Sequence, residues 1–236
     1  MSSRAEIMEN LRETINTGLS KAIQEDHDTE DVNILYDLVM GSTTPAFAAV
    51  DLVALANRTS GDQAFLLDIS IQILSLACDY PFLQPALVDL VASLSRPSPS
   101  SPTSPTRYDF VSSFATMTGD LTRANYGHLF DAASSTSTTG LIQDHVNLNG
   151  FIARLLSTVD SPEDPKDRVT GLDDALFIMS TSLEDHPNSH SLPDVDIPAA
   201  AQYMIHAGAL LLKACQDRWV GHLHDPKGTT RADCCD

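Results

Sequence analysis

One stretch constrains the fold more than any other, the 18 residues from Gly140 to Ser157. At 3.6 residues per turn its apolar side chains gather on one side of a helix, and two polar residues, His145 and Asn149, fall among them. The two are one turn apart on that side, so they can touch each other. A buried imidazole or amide without a partner costs roughly 1–3 kcal/mol, and we therefore expect both to be hydrogen-bonded.

The opposite side of this predicted helix is typical of a face exposed to solvent. Its members are polar or small: Gln143, Asn147, Gly150, Arg154 and Ser157. Two interpretations of His145 remain open. It is either a hydrogen-bonded core histidine that holds neighbouring helices together, or an acid, base or ligand anchor in the wall of a pocket.

The composition favours a helical protein. Of the 236 residues 42% are hydrophobic, and glycine is scarce. We predict an all-α fold, a single orthogonal bundle of about 8–9 helices that spans residues 1–225 and ends in a flexible tail, residues 226–236. A Pro/Ser-rich insertion at 95–106 is predicted to interrupt the bundle as a disordered loop. The first helix is expected to begin at Ser3, where a capping box starts.

Charge and targeting signals narrow the function classes. Fourteen basic and 32 acidic residues give a formal charge of −18, which repels phosphate backbones and anionic membranes, so we expect neither nucleic-acid nor membrane binding. The lack of a long apolar run and of a signal-peptide pattern favours a cytoplasmic location. Cys78 and Cys215 lie in apolar helical patterns and are predicted to be reduced core residues. No cysteine or histidine spacing indicates a metal site.

A last helix is predicted from Asp196 to about Val220. We interpret one side of it as core, the side that carries Ile205, Leu212, Cys215 and Trp219. A neighbouring polar side carries Gln202, His206, Ala209 and Lys213. Tyr203, three positions before His206, is expected beside it on the surface. Small residues form a third surface that lets another helix or a ligand approach closely: Ala199, Ala200, Ala201, Ala207, Gly208 and Ala209.

Two further patterns concern the N-terminal half. Thr44 and Pro45 are an N-cap and first-turn pair, and they predict the start of a helix that runs through Phe47 and Val50. Asp68 lies in a later helix that is otherwise strongly apolar. It shares one stripe with the polar residues Gln72, Ser75 and Asp79, so we predict that its carboxylate is solvated rather than catalytic.

Two short runs resemble a known family. One is Asn147-Leu148-Asn149-Gly150-Phe151-Ile152-Ala153-Arg154-Leu155, and the other is A-A-x-Y-M-I-H-A-G from Ala200 to Gly208. They resemble a family of filamentous-fungal proteins catalogued as a domain of unknown function, in which N-L-N-A-F-x-A-R-L and A-A-x-W-I-x-x-A-G are usual. Gly150 stands where that family has Ala, and Tyr203 where it has Trp. The resemblance implies a stand-alone helical protein and no known catalytic residues.

The sequence contains no nucleophile elbow, phosphate-binding loop, dinucleotide fingerprint or zinc signature. We therefore expect the helices to enclose an apolar pocket that binds a small apolar molecule, or rearranges it without a cofactor as an isomerase, cyclase or lyase. The resemblance implies a place in fungal specialised metabolism. The candidate catalytic residues are His145, Asn149, Tyr203 and His206, and the candidate ligand-binding residues are Leu148, Phe151 and Gln202. The alternative is a non-enzymatic acidic scaffold for protein–protein interaction, and a homo-oligomer is compatible with either function.

Overall fold

The computed structural model describes residues 9, 13, 30–58, 63–95, 110, 114, 116–122, 139–158, 172–183 and 192–216. These residues are largely helical and include no strand, which confirms the predicted all-α class. The helices are α1 (Glu30–Met40), α2 (Pro45–Arg58), α3 (Gln63–Asp79), a 3-10 turn (Pro81–Leu83), α4 (Gln84–Ser95), α5 (Thr139–Leu156), α6 (Leu172–Leu183) and α7 (Pro193–Gln216). Residues 116–122 are also helical. The predicted helix start at Ser3, most of the Pro/Ser-rich insertion and the C-terminal tail lie outside the described residues.

Local sequence determines the turn between α1 and α2. Gly41 has a φ of 74°, a left-handed conformation that glycine adopts without steric strain. Two backbone hydrogen bonds around it form a Schellman motif, which ends α1. The Oγ1 atom of Thr44 then accepts a hydrogen bond of 3.4 Å from the N–H of Phe47, and Pro45 is the first residue of α2. The predicted helix start is therefore confirmed.

The central position in the packing belongs to α5. This helix packs most extensively against α7, and it also contacts α3 and α4. Around it, α2 packs against α4, α1 against α2, and α6 against α7. One apolar core runs through all seven of these helices and includes residues on both sides of the Pro/Ser-rich stretch. The helix α5 therefore connects the first four helices to the last two.

The apolar side of α5 faces the core, as predicted. Leu148, Ile152 and Leu155 are at most 2% exposed. Phe151 packs edge to face against Phe114, with ring centroids 6.4 Å apart. Burial of one such side chain contributes roughly 1.5–3 kcal/mol. These residues anchor the helix, and any polar side chain on the same side is carried into the core with them.

The orientation of α7 differs from the prediction. The side that we assigned to the core is the outward one: Ile205 is 68% exposed and Leu212 is 60% exposed. Cys215, also predicted to be a core residue, is exposed, and Trp219 lies outside the described residues. Exposed apolar residues also occur in α2, where Phe47 is 66% exposed and Val50 is 64% exposed.

The composition of α7 explains this error. The 16 residues from Ile197 to Leu212 include no Asp, Glu, Lys or Arg, so the pattern of apolar residues does not select one face. Tyr203, which we expected on the surface, lies on the inward side instead. Its neighbours there are aliphatic, several of them small: Val195, Ala199, Ala200, Ala207, Leu210, Leu211 and Ala214. Small side chains let two helices approach closely, and the extensive packing against α5 favours the alanine-rich side.

Candidate functional site

Three of the four candidate catalytic residues meet between α5 and α7. His145, Asn149 and Tyr203 are each 0% exposed. The hydroxyl of Tyr203 donates to Oδ1 of Asn149 at 3.0 Å. Nδ2 of Asn149 donates to the backbone carbonyl of His145, one turn earlier, at 2.8 Å. The prediction that His145 and Asn149 lie on the buried side is confirmed, and this contact between them uses the main chain of His145 rather than its ring.

The environment of the His145 ring restricts the chemistry it can perform. Burial lowers its pKa from 6.5 to about 4, because an apolar interior disfavours the charged imidazolium. The ring is therefore neutral at pH 7. A general acid or base works best when its pKa lies near the operating pH. A neutral ring at this depth fits a core position better than it fits proton transfer at neutral pH.

The remaining predicted site residues lie around His145, Asn149 and Tyr203 without a described hydrogen bond to them. Leu148 and Phe151, the candidate ligand-binding residues of α5, are 0% exposed within the apolar core. Gln202 is half-buried and lies against Gly150. A Cβ atom added at position 150 would be 3.1 Å from Oε1 of Gln202. His206 is half-buried, and its pKa is lowered by burial and by the positive charge of Arg154.

A second polar network, which the sequence did not predict, lies at the end of α3. Pro81 has no N–H, so it cannot donate the helical hydrogen bond that the carbonyl of Ala77 would otherwise accept. The buried side chain of Gln84 supplies that bond, with Nε2 donating to Ala77 O at 3.0 Å. The same Nε2 donates to the carbonyl of Asn147 in α5 at 2.8 Å. Gln84 thus caps α3 and ties the cap to α5.

Two residues of α5 complete this network. Nδ2 of Asn147 donates to the carbonyl of Cys78 at 2.6 Å. Nε of Arg154 donates to Oε1 of Gln84 at 3.2 Å. The predicted solvated face of α5 is therefore wrong for Asn147 and Arg154, which are half-buried, and for Gly150, which is buried. The one signal of this network in the sequence is Pro81, four residues after Ala77, which leaves the carbonyl of Ala77 in need of another donor.

Neither Cys78 nor Asp68 offers a reactive group. Cys78 is buried, as predicted. Burial, together with the negative charges of Asp144 and Asp79, raises the pKa of its thiol to about 12, so the thiolate nucleophile is not formed at neutral pH. Asp68 is exposed, as its spacing predicted. Among the residues that the structure describes, no three His, Cys, Asp or Glu side chains are grouped to hold a metal ion.

A small apolar cavity lies elsewhere, between α2, α3 and α4. Its lining is entirely apolar and includes none of the predicted site residues: Leu52, Val53, Ala56, Leu66, Ile69, Leu94 and Phe110. A ligand site normally combines apolar walls with a few polar groups that orient the ligand. The cavity has no such group in its lining, so it does not offer the pocket chemistry that the sequence led us to expect around His145.

The fold is all-helical, and its buried polar side chains form hydrogen bonds between helices. These two features define the class of protein. The sequence profile of a family described as "Protein of unknown function (DUF3632)" matches residues 71–233. The match covers well over half of the chain, which therefore belongs to this family. Searches of the curated proteins and of the solved structures found no match.

The matched range contains both of the short runs that carried the resemblance, and several of their polar residues have partners in another helix. In the first run Asn147 caps α3, Asn149 accepts from Tyr203, and Arg154 donates to Gln84. In the second run Tyr203 is the donor to Asn149, and Gln202 lies against Gly150. Both runs therefore describe how α5 is joined to its neighbours.

Proposed function

We propose that this protein is a non-enzymatic helical interaction module that binds another protein surface through the outward face of α7. We define the apolar stripe as the six residues Ile197, Ala201, Met204, Ile205, Gly208 and Leu212. Its four large members are 53%, 59%, 68% and 60% exposed, in the order Ile197, Met204, Ile205 and Leu212. This exposure is the observation that carries the proposal.

The spacing of the stripe supports one continuous surface. Relative to Ile197 its members stand 4, 7, 8, 11 and 15 positions further on, which keeps them within about 100° of arc on a helix with 3.6 residues per turn. From Ile197 to Leu212 the stripe is about 22 Å long. Single exposed apolar residues are common on protein surfaces, whereas contiguous ones mark interaction sites.

The charge distribution supports the same function. Charged residues make up 19% of the chain, or about one residue in five, yet the 16 residues from Ile197 to Leu212 include no Asp, Glu, Lys or Arg. An exposed helix of an acidic protein ordinarily carries charges that keep it soluble. A surface without them is better suited to contact with another apolar surface than to contact with water.

The interior supports a structural role for the buried polar groups. The Asn149 amide and the Tyr203 hydroxyl bond to each other, and the polar groups around Gln84 bond across three helices. Buried polar groups that satisfy each other need no ligand to do so.

Binding of a small apolar molecule, with or without rearrangement of it, is a second candidate. The observation that favours it is the meeting of His145, Asn149 and Tyr203 among apolar residues, with Leu148 and Phe151 in the same core. A ligand would have to separate α7 from α5 to reach them, since all five side chains are 0% exposed.

The native size of the protein tests the proposal when its complexes are cross-linked with formaldehyde inside its own cells before extraction, so that dilution does not separate a weak complex. We expect the wild type to elute well above the 25.5 kDa of one chain and Ile205→Lys to elute as a monomer with an unchanged thermal transition. Phe47→Lys is the matched control, because Phe47 is equally exposed on α2. Elution of the wild type as a monomer, or equal loss of the complex in both variants, would contradict the proposal.

The second candidate has its own readout. A small molecule that co-purifies, raises the thermal transition of the wild type and fails to do so for Asn149→Leu would replace the interaction module with a ligand-binding protein.

A further inference from the structure

The apolar stripe is symmetric about its own midpoint. Large residues stand at both ends, Ile197 and Leu212, and small residues come next from each end, Ala201 and Gly208. The centre consists of Met204 and Ile205. The two members of each of these three pairs are equally far along the helix from the point between Met204 and Ile205. A half-turn about that point therefore exchanges them. Under that half-turn each large residue meets a large one and each small residue meets a small one, so the stripe can pair with a second copy of itself about a two-fold axis.

We propose that the occupant of the stripe is the stripe of a second copy of this chain, packed antiparallel with the two-fold axis between Met204 and Ile205. This inference rests on the proposed function and names the partner. Ile197 then faces Leu212 of the second copy, and Ala201 faces Gly208 of the second copy. The small pair lets the two helices approach, while the large pairs at the centre and ends cover each other.

Electrostatics restrict where a second copy can bind. Two chains with a formal charge of −18 each repel one another. The stripe has no charged member, so contact there brings few like charges together.

Electrostatics also favour the antiparallel direction. Asp194 is exposed in the first turn of α7. Parallel pairing would set it beside its own copy and align the two helix dipoles, whereas antiparallel pairing places it opposite position 215, about 30 Å from its copy along the axis.

The size of the stripe predicts a dimer of limited affinity. One helix face about 22 Å long buries less than the ~800 Å² per partner of a standard interface. We therefore expect a dimer that dissociates on dilution.

The competing occupant is a lipid bilayer. Among the described residues, one helix, Asp194–Gln216, is long and apolar enough to cross a membrane, and helices buried in soluble proteins pass the same criterion. The inward face of α7 argues against a transmembrane position, because Tyr203 and the alanines around it are buried against α5. The formal charge of −18 opposes binding to an anionic membrane surface.

Sedimentation equilibrium of the purified full-length chain is the first test. The apparent mass should rise with concentration from 25.5 kDa towards twice that value. Ile205→Lys should weaken the dimer at least tenfold, and Phe47→Lys should leave it unchanged. A monomer at every concentration, or a dimer that only Phe47→Lys disrupts, overturns the inference. If the purified chain is a monomer while the complex in cell extracts still depends on Ile205, the interaction module stands and only its partner is wrong.

Cysteine cross-linking tests the direction of pairing. In a background with Cys215, Cys234 and Cys235 changed to Ser, Ile197→Cys is mixed with Leu212→Cys and oxidised with copper phenanthroline. The inference expects a disulfide between position 197 of one copy and position 212 of the other, and little product between two copies of Ile197→Cys. A dominant 197–197 product overturns the antiparallel arrangement. Flotation with phosphatidylcholine–phosphatidylserine vesicles completes the test, since stripe-dependent vesicle binding by a monomeric protein assigns the surface to a membrane and overturns the inference.

Discussion

The inward face of α7 buries a polar group, the hydroxyl of Tyr203, whereas the outward face exposes large apolar side chains. Tyr203 is 0% exposed and donates to Asn149 in α5, whereas Ile205, two positions later, is 68% exposed. The rest of the inward face is aliphatic, so Tyr203 is an isolated polar group there, whereas from Ile197 to Leu212 the outward face lacks the charged residues that are usual at a protein surface. The difference indicates two separate constraints on one helix.

The two faces obey different physical rules. A buried hydroxyl or amide must find a partner of the right geometry, or it costs roughly 1–3 kcal/mol. The Tyr203–Asn149 bond therefore restricts how α7 can be placed on α5. An exposed isoleucine costs nothing comparable in the monomer, and it gains free energy only when another surface covers it. The inward face thus specifies the fold, and the outward face is available for a partner.

The largest effect should separate the two faces directly. We expect Tyr203→Ala to reduce the free energy of unfolding by about 3–5 kcal/mol, because it removes a buried ring and leaves the Asn149 amide without its donor. Met204→Ala, one position later but 59% exposed, should change it by less than about 0.5 kcal/mol. Urea denaturation of the monomer measures both. Equal losses would mean that the two faces do not differ.

A second test asks whether buried polar contacts away from α7 matter in the same way. Gln84→Ala removes the donor to the carbonyls of Ala77 and Asn147 and the acceptor for Arg154, and we expect a loss of roughly 2–3 kcal/mol. Gln143→Ala is the control, because Gln143 is exposed and its side chain donates to Oδ1 of Asn147 at the surface. This substitution should reduce the free energy of unfolding by less than about 0.5 kcal/mol. If Gln84→Ala is as mild as its control, the cap on α3 is dispensable.

The inward face should also make stability depend on pH. The folded-state pKa of His145 is about 4, below the 6.5 of the unfolded chain, so the unfolded state binds more protons between these values. The stability from the neutral buried ring is complete above pH 6.5 and is lost as the pH falls towards 4. From pH 7 to pH 5 the wild type should lose about 2 kcal/mol more than His145→Gln. His206→Gln should retain most of the wild-type dependence, and parallel curves for wild type and His145→Gln would contradict the assignment.

The smallest expected effect concerns the closest approach of α5 to α7. A Cβ atom at Gly150 would lie 3.1 Å from Gln202 Oε1, which is the end of a flexible side chain and can move. We expect Gly150→Ala to stabilise the protein by about 0.5–1 kcal/mol through the higher helix propensity of alanine. Gly140→Ala, where no atom lies within 4 Å, is the reference. A loss at Gly150 together with a gain at Gly140 would show that Gln202 is held rigidly.

Much of the secondary structure could be predicted because its causes are local. The end of α1 at Gly41, the start of α2 at Thr44 and Pro45, and the buried side of α5 each depend on residues within one or two turns. Such residues are neighbours in the sequence, so their pattern is visible there. The sequence by itself therefore determined the helical class and placed His145 and Asn149 in the interior.

The tertiary structure alone decided what those helices contact. Asn149 meets Tyr203 across 54 positions, and Arg154 meets Gln84 across 70, so no local pattern predicts either bond. The inward face of α7 was likewise undetermined, because a helix without charged residues over 16 positions offers several equivalent apolar sides. Packing against α5 selected the side with small residues and Tyr203, and that choice left the apolar stripe in solvent.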